Sequence, residues 1–326
     1  LFCLIERISV SFTVKKRFFP KQFTERIRAR ALPSFRCCLS PVLTVLAFVL
    51  ISGCAEPGLP PEKKPPLQML DTLVCLDDPE RIEIVTWNIR NFPRSDVTVE
   101  RLAELISIQQ ADIYCIQEVM DYDAILELLS LIEGYEVVHS QRSRYMGMAT
   151  LYQSAEFTIL NTRELFLENL YPFASRPPLK TLIRRGDFQF ELINLHMKCC
   201  DDGIARREEA CEILYEYLTT EADSNIIVVG DWNDDFSTAT GRRTMKAFLE
   251  NPQQFRYVTE ELAFHSENIW DSYPSWPSFL DHILIGKALF DEDESATSAT
   301  LRLDKVISDY FTVFSDHRPV YWEFQP

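Results

Sequence analysis

The chain has 326 residues, 46% hydrophobic and 25% charged, enough to bury a large core in one or two domains and to exclude a disordered polypeptide. Its net charge of −16 is uneven: residues 1–53 carry nine of the 33 Lys and Arg and two of the 49 Asp and Glu, so residues 54–326 hold 24 bases against 47 acids. Only nine glycines occur, in no phosphate-loop or dinucleotide pattern, which excludes both of those nucleotide-binding classes.

In chain order, the basic stretch leads into an apolar run from Pro41 to Ile51 and then Ser52, Gly53 and Cys54, the pattern of an export signal. That run is too short to cross a bilayer. Ile51-Ser52-Gly53-Cys54 resembles a bacterial lipoprotein processing site, which implies that residues 1–53 are removed and that Cys54 is lipidated. The expected location is a membrane-anchored lipoprotein facing the periplasm or the cell exterior. Residues 54–80 then serve as anchor and Pro-rich tether, and 81–326 as one folded domain.

Five of the nine cysteines follow the anchor: Cys75, Cys115, Cys199, Cys200 and Cys211. Export permits disulfides, and an odd count leaves at least one thiol unpaired within a monomer. Cys115 lies in the apolar run from Ile113 to Ile116 and reads as core. Cys199-Cys200 has no metal-type spacing and is expected to bridge to Cys75 or Cys211.

From Arg81 onward, short apolar strands alternate with amphipathic helices. Val99, Leu102, Ala103 and Ile106 fall at helical spacing, as do Ile125, Leu128, Leu129, Ile132 and Ala210, Ile213, Leu214, Tyr217. Strands are expected at 82–88, 112–117, 135–139, 148–153, 157–161, 180–185, 188–196, 226–230, 279–285 and 318–324. Many strands adjacent in sequence favour two packed sheets with helices outside over a parallel doubly wound sheet.

Polar residues recur at the strand ends: Asn88, Glu118, His196, Asp231 and Asn233, then Asp281, and Asp316-His317 ahead of the last strand. A strand end lets a side chain reach a cleft while its backbone stays fixed. Hard divalent cations take oxygen ligands, and Asn88, Glu118, Asp231, Asn233 and Asp316 supply them. Singly each is weak, since an Asp after a strand is usually a turn or cap residue. The ordered set changes the reading.

That set is TWNIRNFP (86–93), ADIYCIQEV (111–119), SRPPLK (175–180), INLHMK (193–198), VVGDWND (228–234), FLDHILI (279–285) and SDHRPV (315–320). It resembles the endonuclease/exonuclease/phosphatase superfamily, and within it deoxyribonuclease I, from about residue 82 to 324. The resemblance implies an α+β fold, a four-layer α/β sandwich of two mostly antiparallel sheets flanked by helices, with the motif residues meeting at one end.

By the same resemblance, Glu118 is the principal metal carboxylate with Asn88 beside it, and Asp316 lies near the same ion. Asp231 and Asn233 orient the attacking water and the scissile phosphate, or hold a second metal. His196 and His317 flank the phosphate, with His196 as acid and His317 as base or phosphate stabiliser. Asp281 fixes the tautomer of His317, and Arg90 and Arg176 contact substrate phosphates. The implied cofactor is Mg²⁺ or Mn²⁺, with Ca²⁺ as a further candidate. One departure stands out: Met146 occupies the place of the acid that orients the first histidine, leaving Glu191 as a substitute or His196 less tightly held.

The expected activity is a metal-dependent phosphodiester hydrolase, a monomeric deoxyribonuclease I-like endonuclease acting outside the cytoplasm on nucleic acid. The alternative keeps the chemistry with a lipid or inositol phosphate as substrate. The acidic balance of residues 54–326 argues against a polyanion, unless Arg90, Arg94, Arg142, Arg144, Arg176, Arg184, Arg185 and Lys198 gather at the cleft.

Overall fold

The computed structural model describes residues 75–143, 145–221, 224–265 and 268–326. The expected signal, Cys54 and most of the tether lie outside the described residues, as does Arg144. In order along the chain come β1 (Ile82–Phe92), α1 (Thr98–Gln109), β2 (Ile113–Val119), α2 (Tyr122–Leu131), β3 (Tyr135–His139), β4 (Gly147–Gln153), β5 (Thr158–Glu164), β6 (Leu179–Arg185) and β7 (Phe188–His196). There follow α3 (Ile204–Thr220), β8 (Ile226–Asp231), β9 (Phe255–Tyr257), β10 (Asp281–Gly286), β11 (Thr297–Thr300) and β12 (Val320–Phe324), with short helical turns between them.

The strands form two six-stranded sheets, β11-β12-β1-β2-β4-β3 and β5-β6-β7-β8-β10-β9. Every pair is antiparallel except β1 with β2 and β7 with β8, so the sheets are mixed as well as mostly antiparallel. Every expected strand is present with edges moved by a few residues, and two short ones, β9 and β11, add to the sheets.

Strand alternation explains the layering. In β8, Ile227 and Val229 join the core cluster that also holds Ile84, Ile113 and Trp322. Ile226 and Val228 point the other way and pack with Leu214 and Leu218 of α3. A continuous apolar run with both faces buried is what a strand in the middle of a layered sandwich requires. On the opposite side, α1 buries Val99, Leu102, Ala103 and Ile106, and α2 starts at Asp121, whose side chain accepts the Asp123 N–H. Cys115 is fully buried, as its sequence context suggests.

Topology gathers the polar strand ends. In the parallel pairs, Asn88 lies opposite Gln117, next to Glu118, and His196 lies opposite Asp231, so four strands finish at one edge. The antiparallel partners begin there: Asp281 opens β10 opposite Asp231, and Val320 opens β12 opposite Thr86. Gly230 makes the approach possible, because with φ 145° any Cβ there would sit 2.0 Å from the Leu195 carbonyl oxygen.

Candidate active site

A cleft of about 980 Å³ opens at this edge, lined by Arg90, Glu118, His196, Asp231, Asn233, Asp316 and His317 among others. All the expected site residues of the domain except Asn88 and Asp281 line it, and those two stand directly behind it. Asn88 and Asp281 are buried and bonded to lining residues. Glu118 (φ 62°), Asn233 (φ 55°), Arg90 (φ 39°) and Asn91 (φ 52°) all adopt left-handed backbone. Such conformations are costly outside glycine and gather where surrounding structure imposes a geometry.

Asn88 is the hub between the sheets. Its Nδ2 donates to Glu118 Oε1 at 3.1 Å and to Asp231 Oδ2 at 2.9 Å, while its Oδ1 accepts the Arg90 N–H at 3.0 Å. The amide therefore aligns two carboxylates through its nitrogen. Asn233 differs: Nδ2 donates to the Met197 carbonyl at 3.1 Å and its backbone N–H to Asp231 Oδ1 at 2.9 Å. Its side-chain oxygen remains available to the cleft.

Asp281 Oδ2 lies 2.8 Å from His317 Nδ1, fixing the tautomer that leaves Nε2 facing the cleft. Burial works against a charge on His317, but Asp281 and Asp231 outweigh it and push its pKa to about 10. Burial also raises Asp231, to about 7, against the pull of His317. His196 is held well below the usual imidazole range, by burial first and then by the charges of Arg176 and His317. His196 Nε2 stands 3.5 Å from Asp231 Oδ2, and its buried Nδ1 has no hydrogen-bond partner. The shifts run in opposite directions, favouring the protonated form of His317 and the neutral form of His196.

Glu191 does not orient His196. It sits five residues earlier on β7 and pairs with Lys180 at 2.6 Å. Met146, in the place of the expected acid, instead accepts Nη1 of Arg176 at 3.4 Å.

The two arginines behave unlike each other. Arg90, partly exposed, forms an ion pair with Asp316. Arg176 is 8% exposed and donates Nε to the His196 carbonyl at 3.1 Å and Nη2 to the Met197 carbonyl. Arg176 thus braces the end of β7 while still lining the cleft. Of the other bases named from sequence, Lys198 lines the cleft, whereas Arg185 lies at the far end of β6 against Pro79 and Arg81.

Sequence reasoning missed several supports. Arg207 joins Asp234 at 2.6 Å to the carbonyls of Lys198 (2.6 Å) and Cys200 (2.9 Å), tying the loop after His196 to the one after Asp231. A charged residue on the apolar stripe Ala210, Leu214, Leu218 of α3 is the signal that could have found it. Asn194 bridges the sheets, accepting Gln117 Nε2 at 2.8 Å and donating to the Ile116 and Ala149 carbonyls. Ser315 links the Asn88 carbonyl to the His317 N–H. The Tyr273 ring lies 4.8 Å from His317.

The donor set is of the kind a hard divalent cation takes: the carboxylates of Glu118, Asp231 and Asp316 line one cleft with the Asn233 side chain. The compact trio Asp231, Asp281 and His317 is a poorer cation site, because Nδ1 and Oδ2 of the last two are committed to each other. Carboxylates on a strained buried edge beside a carboxylate-held imidazole define a phosphoester hydrolase site.

Residues 85–317 match the family model described as the Endonuclease/Exonuclease/phosphatase family, and the chain belongs to that family, whose members hydrolyse phosphoester bonds and typically depend on divalent metal. No curated protein sequence matches the chain. Solved structures share its fold. TDP2 from D. rerio, complexed with a single-strand DNA product, superposes with TM-score 0.60 at 15% identity over 76% of this chain and 99% of that one. The human Nocturnin catalytic domain with bound sulfate gives 0.58 at 19% over 75% and 94%. The mannosyl-6-phosphatase Bt3783 of Bacteroides thetaiotaomicron gives 0.55 at 16% over 74% and 99%.

Proposed function

We propose that this enzyme is a Mg²⁺- or Mn²⁺-dependent endonuclease that cleaves nucleic-acid phosphodiesters outside the cytoplasm, tethered through lipidated Cys54. The observation that carries the chemistry is the Asp281–His317 pair at 2.8 Å, set beside Asp231, Glu118 and His196 at one sheet edge. Glu118, Asp316 and Asp231 would hold the cation, which supplies charge neutralisation on the phosphate oxygens. Imidazolium His317 places a donor on the same phosphate, fixed by Asp281. Asp231 and Asn233 orient the water, and neutral His196 keeps the opposite wall able to exchange a hydrogen bond.

Two exposed aromatic rings on the rim, Tyr145 (59%) and Trp276 (78%), favour a substrate that carries bases, since stacking is tolerant of base identity. The competing reading is a phosphomonoester or lipid headgroup. Asp201 and Asp235 on the cleft wall support it by disfavouring a long polyanion. Turnover of supercoiled plasmid, RNA, sphingomyelin and inositol phosphates by the purified protein separates the two. Absence of nicking with turnover of a small phosphate would overturn the nuclease reading. Export rests on the sequence alone, and unchanged membrane fractionation of Cys54→Ala would overturn the anchor.

A further inference from the structure

Adjacent to the site, the loop between β7 and α3 carries Cys199 and Cys200. Neither is bridged to Cys75 or Cys211; all four thiols are free, Cys211 buried on α3 and Cys75 exposed beside Gln110. The pair face each other instead: Cys200 Sγ donates to Cys199 Sγ at 2.8 Å.

Adjacent residues place their sulfurs on one side only if the backbone is bent to do it. Cys200 has φ 69° and ψ 172°, a region that is essentially glycine's own. The bend is held from both directions. Arg207 Nη1 takes the carbonyls of Lys198 and Cys200, and Lys198 Nζ takes the Cys199 carbonyl at 2.9 Å. The same ammonium lies 3.8 Å from Cys199 Sγ. Both sulfurs lie on the cleft wall, open to solvent.

We propose that Cys199 and Cys200 are an oxidation site that closes a vicinal disulfide on the wall of the cleft and lowers turnover. The oxidant is a low-molecular-weight or protein disulfide. Cys199 thiolate attacks one of its sulfurs and expels the first thiolate, forming a mixed disulfide. Cys200, giving up its proton to the expelled thiolate, then attacks Cys199 Sγ and releases the second thiolate, which takes a proton from water. Two protein thiols are oxidised and one disulfide becomes two thiols. Closure draws on the segment whose Lys198 and Met197 carbonyls hold Arg207, Arg176 and Asn233, which is the route to the active site.

The test is a mass measurement that does not depend on the proposed substrate. Trypsin cuts after Lys198 and Arg206, so one peptide, Cys199 to Arg206, carries both thiols. The full chain is treated with oxidised glutathione, alkylated under denaturing conditions and digested. The expected product is this peptide unalkylated and lighter by two hydrogens, restored to the doubly alkylated form by dithiothreitol. Recovery of the doubly alkylated peptide after oxidation, or of this peptide crosslinked to another cysteine, would overturn the proposal. Turnover of whichever phosphoester the wild type hydrolyses should fall on oxidation and return on reduction. In Cys199→Ser and in Cys200→Gly, which suits that backbone, turnover should not respond to the oxidant. A ring that forms with turnover unchanged would overturn the link to the cleft.

Discussion

The buried carboxylate of Asp281 holds Nδ1 of His317 at 2.8 Å, and both side chains open onto the same edge as Asp231. Asp281 is fully buried at the start of β10, so its charge is matched chiefly by that imidazole. The two act as one unit. His317→Ala should lower kcat by roughly 10²–10⁴-fold, the usual range for a group that moves or holds a proton in the transition state. Asp281→Asn should reproduce much of that loss, and the double variant should be little worse than either. Additive losses in single-turnover rates would show that the pair does not act together.

Metal dependence follows from three carboxylates, Glu118, Asp231 and Asp316, that line one cleft. Chelation should abolish activity, and Mg²⁺ or Mn²⁺ should restore it. Glu118→Gln keeps the side chain's shape and its hydrogen bond from Asn88 but removes a charged ligand. It should raise the metal concentration needed for half-maximal rate by an order of magnitude or more. Full activity of dialysed protein in EDTA would remove the metal from the mechanism.

Arg90 and Arg176 should separate in a salt series. Arg90→Ala removes a partly exposed cation beside Asp316, and it should raise KM for nucleic acid and flatten the salt dependence by about one phosphate contact. Arg176→Ala instead removes a donor from the buried His196 carbonyl, at about 1–3 kcal/mol, and leaves the Met197 carbonyl with Asn233 alone. It should lower Tm and kcat together with little change in the salt slope. Equal salt slopes for both variants and the wild type would place neither on a phosphate.

Both the sandwich and its catalytic edge are legible because polar residues that interrupt apolar runs mark strand ends, and Asn88, Glu118, His196 and Asp231 each do so. Pairing partners are not legible, since they depend on topology rather than on local pattern. β9 and β11, of three and four residues, are too short for alternation to show. The direction in which Asn88 turns its amide depends on the Arg90 N–H, a contact made only by the left-handed turn after it. Glu191 is misread because its distance from His196 along β7 is a strand property invisible to a search for a nearby acid. Arg207 and Asp234 meet across 27 residues of chain, and only the fold joins them.

The far end of the sandwich holds a different pair of acids, Glu83 on β1 and Asp112 just before β2. The Glu83 backbone N–H donates to Asp112 Oδ2 at 3.1 Å, and Glu83 Oε2 is buried without a partner. Burial, and then the charge of Asp112, push the Glu83 carboxyl from 4.5 up to about 9; burial likewise raises Asp112, to about 6. A folded-state pKa above the unfolded value means that the folded protein keeps a proton that the unfolded chain releases. The stability this contributes is complete below about pH 4.5 and is lost progressively as pH rises toward 9. Tm should therefore fall between about pH 5 and 9. Glu83→Gln, which carries no proton to lose, should show a shallower fall and a higher Tm than the wild type at the alkaline end. Thermal melts of both proteins across that range decide it, and parallel Tm curves would show that Glu83 does not hold its proton in the fold.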